Sequence, residues 1–126
     1  MTKKSKDDIT PYGKELIVDL HGCDLEGLVN KEKLTEFFVT LCDKIDMKRH
    51  GEPLFWEDDS DIPHLHGVSA MQFIETSTIV CHPLPMLHSV YVNIFSCKEF
   101  DKNVALEFCK VFWRAKKEVH TLVVRT

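Results

Sequence analysis

The chain has 126 residues, 29% of them charged and 44% hydrophobic, with a formal net charge of -4. That length holds one domain with a two-layer core and excludes two, and the mild acidity gives no reason to expect nucleic acid or an anionic membrane as a partner. No apolar run approaches the ~18 residues that span a bilayer, and the charged start MTKKSK lacks the apolar segment of a signal peptide, so a cytoplasmic location is expected. Five cysteines, an odd number scattered through strand and helix patterns, fit free thiols in a reducing compartment better than a disulfide framework.

Residues 1 to 11 are polar, close on Pro11 and are expected to stay loose, which leaves residues 12 to 126 as a single domain. Lys14 to Leu20 (KELIVDL) is apolar with β-branched residues and predicts a first strand, ended by His21-Gly22. Asn30 is placed to cap a helix whose apolar residues Leu34, Phe37, Phe38, Leu41 and Ile45 recur at helical spacing. Glu52 to Trp56 fits a short strand, while Glu57 to Asp61 followed by Pro63 indicates an exposed acidic loop, and the boundary between the two is open. Val68 to Thr76 and Thr78 to Cys81 predict two strands meeting near Ser77, and Ser89 to Phe95 predicts another. Asp101 can cap a second helix with Val104, Ala105, Phe108, Val111 and Phe112 on one side. Glu118 to Val124 forms a last strand.

The order β-α-β-β-β-α-β predicts an α+β two-layer sandwich, an antiparallel β-sheet with two helices on one face. Such a sheet should alternate apolar and polar residues. Met71, Phe73, Tyr91 and Phe95 nonetheless join Ile74, Val90, Val92 and Ile94 on the opposite parity. Both faces therefore read as at least partly buried.

Between Gly67 and Cys97 (GVSAMQFIETSTIVCHPLPMLHSVYVNIFSC) stand Ser69, Ser77, His82 and Cys97, side chains suited to acyl-shift, proton-transfer and thiol chemistry. This stretch resembles the small prokaryotic type of S-adenosylmethionine decarboxylase, a self-cleaving pyruvoyl enzyme, whose core reads approximately G-V-S-G-x-x-x-I-x-E-S-H-x-x-x-H-T-W-P-E and then a strand ending F-T-C-G. Without a gap the chain keeps Gly67, Val68, Ser69, Ile74, Ser77, His82, Pro85, Phe95 and Cys97 at the family's spacings. Upstream, GKELIVDLHGCD (Gly13 to Asp24) resembles the family's opening G-x-H-L-x-x-D-x-x-x-C-D.

The resemblance implies self-cleavage between Thr76 and Ser77, with a pyruvoyl group generated from Ser77 as the cofactor. It assigns His82 to removal of the Ser77 α-proton, Ser69 to hydrogen bonding of the developing intermediate, and Cys97 to proton donation after CO₂ leaves. It also implies a Schiff base with a small-molecule substrate, a role in polyamine (spermidine) biosynthesis, and a homodimer whose sheets stack face to face with the sites near the interface. The chain itself shows no Gly-rich phosphate loop and no lysine in a pyridoxal context, so a carbonyl would have to be made from its own backbone. An N-to-O acyl shift suits such a turn, because well-oriented intramolecular attack reaches effective molarities of roughly 10⁵–10⁸ M.

Several positions depart from the family. Thr76 and Thr78 flank Ser77 where the family has Glu and His, and Pro83-Leu84-Pro85-Met86 replaces T-W-P-E, losing an aromatic ring and a carboxylate. Two alternatives follow: the same chemistry on a basic amino acid such as ornithine or arginine, and an unprocessed relative that binds without catalysing. Taken singly, Ser77 reads as a strand-end hydroxyl, His82 as a turn histidine and Cys97 as a small buried hydrophobe. Trp56 and Trp113 read as core or interface, the acidic run as solvated, and His64-x-His66 lacks any spacing that argues for a metal.

Overall fold

The computed structural model describes residues 5–126, so the first four residues of the expected loose N-terminus lie outside the described part. Residues 5 to 11 form no helix or strand and lie exposed. The rest is a six-stranded, wholly antiparallel sheet in the order β2-β3-β4-β5-β1-β6 with two helices against one face. In chain order the elements are β1 (Gly13–His21), α1 (Lys31–Lys44), β2 (Leu54–Asp58), β3 (Gly67–Ile74), β4 (Ser77–Leu84), β5 (Ser89–Ser96), α2 (Lys102–Phe112) and β6 (Lys117–Arg125), with a short 3-10 turn at Pro85–Leu87.

Both helices begin where the sequence places their caps. The Asn30 side chain accepts from the Lys33 backbone N–H at 2.8 Å, and Asp101 accepts from the N–H groups of Asn103 (2.9 Å) and Val104 (3.3 Å), which satisfies donors that the first turn leaves unpaired. Leu34, Phe37, Phe38, Leu41 and Cys42 form the buried face of α1. On α2 the buried residues are Ala105, Leu106 and Cys109, while Val104 is 39% and Val111 65% exposed, so the helix is turned from the expected face. The cause is Trp113, fully buried at the helix end. Its indole and the Phe108 and Phe112 rings pack with centroids 5.2–5.7 Å from that of Phe37, and that aromatic knot sets the rotation of α2 against α1.

The covered face of the sheet is built by alternation. Leu16, Val18 and Leu20 of β1, Ala70 and Ile74 of β3, Ile79 and Cys81 of β4, and Val90, Val92 and Ile94 of β5 are all buried toward the helices. Among the described residues no element lies over the opposite face, which carries Leu54, Trp56, Phe73, Val119 and Val123 exposed, with Met71, Val80, Tyr91 and Phe95 half-buried. An apolar sheet face without a covering layer is the finding behind the mixed parity seen in the sequence.

Two elements differ from the sequence expectation. The ambiguous segment before the acidic run is the edge strand β2, which adds a sixth strand; its outer edge faces solvent, where acidic residues cost little. β4 continues through Pro83 to Leu84 instead of stopping at Cys81, because the ladder with β3 ends at Ala70↔Cys81 and asks no N–H of Pro83. Gly67 opens β3 at φ 151°, and a Cβ there would stand 2.5 Å from the Pro83 carbonyl oxygen, so that position admits only glycine. Among the described residues no helix is long and apolar enough to cross a membrane.

Trp113→Ala is expected to lower the unfolding free energy by about 3–5 kcal/mol, whereas Val111→Ala, on the solvent side of the same helix, shifts it by less than about 0.5 kcal/mol. Urea titrations of the two variants check the observed rotation of α2.

Candidate active site

The β3–β4 hairpin turns through only Glu75 and Thr76, so the Thr76–Ser77 peptide sits at the end of the sheet where β4 begins. Neither turn residue has a positive φ, so the backbone there carries no left-handed strain. Ser77 has its side chain almost fully buried, and its Oγ accepts from the backbone N–H of Cys97 at 3.3 Å. The register pairs Thr78 with Phe95, and one residue past the end of β5 the Cys97 Sγ stands 2.9 Å from Thr76 Oγ1. Ser77 and Cys97 are therefore brought together with the peptide bond that precedes Ser77.

Cys97 differs from the other four cysteines. It is exposed, contrary to its reading as a small buried hydrophobe, and hydrogen bonds from the hydroxyls of Thr76 first and Tyr12 second hold its thiol pKa below the ordinary value. Burial pushes Cys23 and Cys42 up to about 11, Cys109 to about 12, and Cys81 well above the usual range. All five are free.

A cavity of about 620 Å³ opens beside this turn, lined by His50, Phe73, Glu75, Thr76, Ser77 and Phe95 among others. Its wall is held by a buried amide. Gln72 donates to the carbonyls of Gly51 (3.0 Å) and Phe73 (2.9 Å) and accepts from Arg49 (3.2 Å), while the His50 N–H bonds the Phe73 carbonyl at 2.8 Å. His50, Gln72 and Tyr12 were not singled out from the sequence. The one signal for them is a glutamine on the apolar parity of a strand, which in a covered face must find hydrogen-bond partners.

Ser69 and His82 form a second pair, Nδ1 to Oγ at 2.8 Å, one residue beyond the last β3–β4 ladder pair. They project from the open face, on the opposite side of the sheet from Ile79 and Cys81. Desolvation by the groups around it lowers the His82 pKa below 6.5, so its ring is neutral at neutral pH and can accept a proton. The pair is flanked across the sheet by Trp56, which pairs with Ser69, and by Tyr91, which pairs with His82.

Within one chain these two pairs do not meet. His82 lies five residues along β4 from Ser77, about 16 Å at the rise of a strand, and on the other face. The acidic run also departs from a wholly solvated reading. Asp58 is partly buried and accepts from the Ser60 hydroxyl (2.6 Å) and backbone N–H (3.0 Å), which hold its carboxyl below the usual range. The His66 Nδ1–H donates to the Ser60 carbonyl at 2.9 Å, and Glu57 pairs loosely with Lys31 at 3.8 Å. Trp113 is core, as read, but Trp56 is 74% exposed.

Comparison with known proteins bears on the whole domain. Residues 14–126 match the family model described as S-adenosylmethionine decarboxylase. No curated protein matches the chain. Among solved structures, the crystal structure of the adenosylmethionine decarboxylase from Aquifex aeolicus VF5 superposes with a TM-score of 0.76 over 93% of this chain and 92% of that one, at 15% identity, a likeness in fold.

In the Ser77→Ala chain, iodoacetamide at mildly alkaline pH is expected to give one adduct, at Cys97, since the other four thiols are buried and remain protonated. Thr76→Val in that background should slow the modification several-fold at neutral pH, because loss of the hydroxyl raises the Cys97 pKa and leaves less thiolate. Intact mass and peptide mapping over time read both outcomes.

Proposed function

This chain belongs to the S-adenosylmethionine decarboxylase family, and from that we propose that it cuts its own backbone between Thr76 and Ser77 and then decarboxylates a small amino-acid-bearing substrate, in polyamine synthesis if that substrate is S-adenosylmethionine. The observation that carries the reading is the Thr76–Ser77 peptide held in a two-residue turn, with the Ser77 hydroxyl fixed against the Cys97 N–H and a cavity beside it.

In the proposed maturation the Ser77 oxygen attacks the Thr76 carbonyl carbon, and the peptide C–N bond breaks to leave an ester and a free amine. A base removes the Ser77 α-proton, the Thr76 carboxylate leaves with the oxygen, and residue 77 becomes a dehydroalanine. Addition of water and loss of ammonia give the pyruvoyl terminus. The residues present fit that group: Ser77 starts a strand, so the new terminus stays anchored by the β4–β5 ladder from Thr78 onward. When formed, the pyruvoyl carbonyl supplies the electron sink for loss of CO₂. Cys97 is our candidate to hold and return a proton at that end, supported by its thiol, which stands 2.9 Å from Thr76 Oγ1 and hydrogen-bonds the Ser77 hydroxyl.

His82 as the base requires a second copy. Ser77 and His82 share β4 about 16 Å apart, too far for proton transfer, which needs roughly hydrogen-bond reach. A two-fold axis lying between two stacked sheets, across the strands and near Val80, sets the Ser69–His82 end of one β4 over the Ser77 end of the other. The apolar open face supplies the surface for such a dimer, with Met71, Val80 and Phe95 around the proposed axis. Ser69 then fixes the His82 ring through the 2.8 Å hydrogen bond.

Freshly purified wild-type chain is expected to resolve by denaturing mass spectrometry into fragments ending at Thr76 and beginning at residue 77, and Ser77→Ala to stay whole. A stable full-length wild type would favour the unprocessed binding relative instead. Differently tagged Ser77→Ala and His82→Ala chains, each whole when made alone, should yield a cut His82→Ala chain when produced together. An uncut one in isolated mixed dimers refutes the shared site.

The pH dependence of cutting carries its own sign. His82 acts as a base only when neutral, and its pKa lies below the ordinary 6.5, so the rate should fall on acidification through a midpoint below that value and be flat above it. Stopped samples across a pH series, quantified by intact mass, give the profile.

A further inference from the structure

In the uncut chain the Cys97 thiol hydrogen-bonds three hydroxyls, those of Thr76 (Oγ1 at 2.9 Å), Tyr12 and Ser77. The proposed cut removes two of them from the thiol. The Ser77 oxygen leaves with the Thr76 carboxylate, and Thr76 becomes the end of a separate fragment, no longer fixed in the turn. The charge of that new carboxylate also opposes a thiolate beside it. Of the three hydroxyls, the Tyr12 phenol is the one that survives in place.

Its position does not depend on the turn. The β1–β5 ladder pairs Lys14 with Ser96, and one residue farther Gly13 lies against Cys97, where a Cβ would stand 2.7 Å from the Cys97 Cα. Glycine lets the two backbones come that close and so brings Tyr12 alongside the thiol. The Tyr12 ring stacks on Phe95, with centroids 6.1 Å apart and planes 29° from parallel, and its backbone N–H donates to the Arg125 carbonyl at 2.7 Å. Tyr12 precedes β1 at that end of the sheet and is half exposed to water.

We propose that Tyr12 is the positioning residue for Cys97 in the mature protein: its phenol holds the thiol after the cut and returns a proton to it after each turnover. This rests on the decarboxylase reading above. Each loss of CO₂ leaves a carbon that must take up one proton, which Cys97 gives, becoming a thiolate. The Tyr12 O–H then protonates the sulfur and recovers its own proton from solvent. One solvent proton is consumed for each carboxylate lost, and no oxidant or reductant is required. A phenol suits both steps, because the same oxygen donates to a thiolate and accepts from water.

The charged groups around the thiol are Lys48, Glu75 and Lys98, which line a narrow cleft with it, and Lys98 is held by Asp46 at 3.2 Å. From β1, β6 and the loop after β5 come Glu15, paired with Arg125 at 2.8 Å, and Lys14, paired with Glu99 at 2.8 Å. Tyr12→Phe leaves all of these in place and keeps the ring on Phe95, so a difference between the two proteins reports the hydroxyl.

The first readout needs no pyruvoyl group. In the chain carrying Ser77→Ala and Thr76→Val, which lacks the same two hydroxyls as the cut protein, Cys97 alkylation by iodoacetamide is followed against pH. Adding Tyr12→Phe is expected to move the midpoint to higher pH and to slow alkylation several-fold at neutral pH, because a donor to the thiolate is gone. The second readout uses the processed protein. Tyr12→Phe should form both fragments at the wild-type rate but turn over roughly 10-fold more slowly, with KM within about two-fold. Cys97 donates only while protonated, so activity falls as pH rises through its pKa. The raised pKa of the variant places that fall at higher pH, a displacement that lost packing alone does not produce.

An unmoved alkylation midpoint or an unchanged turnover number in Tyr12→Phe overturns the proposal. So does slower cutting in that variant, which would place the hydroxyl in maturation instead. If the wild type fails to cut itself, the decarboxylase reading falls and takes the proton return with it, while the alkylation midpoint still decides whether Tyr12 holds Cys97.

Discussion

Five residues of extended chain separate Ser77 from His82, and no rearrangement short of breaking β4 shortens that distance. A strand advances about 3.3 Å per residue and turns its side chains alternately up and down, so an odd separation also sends the two to opposite faces. Ser77 points into the helix-covered side at the end of the sheet, where its hydroxyl meets the Cys97 N–H. His82 points out of the open face, where it meets Ser69. Any chemistry that needs both has to be assembled from outside the chain. In the proposed dimer the open apolar face and the two side-chain pairs at opposite ends of β4 become one requirement, because a second copy would supply the missing pair.

The fold makes that arrangement affordable by keeping its stability elsewhere. Both helices, the aromatic knot around Phe37 and Trp113, and the buried alternate residues of β1, β3, β4 and β5 lie on the covered side. The open face contributes little to the core of one chain, so it is free to carry exposed groups such as Trp56, Phe73 and His82. The hairpin turn sits at the rim between the two sides. There the buried amide of Gln72 ties residues 49–51 to β3, and a rigid wall stands next to the Thr76–Ser77 peptide without a helix or strand having to cross it.

Much of this was legible in the residues. Asn30 and Asp101 are where side-chain caps were expected, the hydrophobic spacing of α1 chose its face correctly, and the antiparallel sheet with helices on one side follows from the element order. The spacing of Ser69, Ser77, His82 and Cys97 singled out four candidates, which the fold gathers into two pairs, Ser77 with Cys97 and Ser69 with His82. What stayed hidden has local causes. The face of α2 was misjudged because Trp113 lies outside the helix yet fixes its rotation, so Val111 looked core and is solvent-facing. β2 was obscured by Glu57 and Asp58, residues that a buried strand would reject and an edge strand tolerates. His50 and Tyr12 left no sequence signal, since their placement beside Ser77 and Cys97 comes from long-range packing.

The clearest case of information absent from any single stretch is Trp56. Read along the chain, it adjoins an acidic loop, and position 84 has leucine where an aromatic ring would stand close to His82. In the folded sheet Trp56 pairs with Ser69 and so arrives at the histidine from two strands away, with Leu84 on the same cavity wall. Asp58 comes with it because alternate residues of a strand share a side. The cavity at the Ser77 end contains Phe73, Glu75 and Phe95, while the one at the His82 end is lined by Trp56, Asp58, His64 and Tyr91.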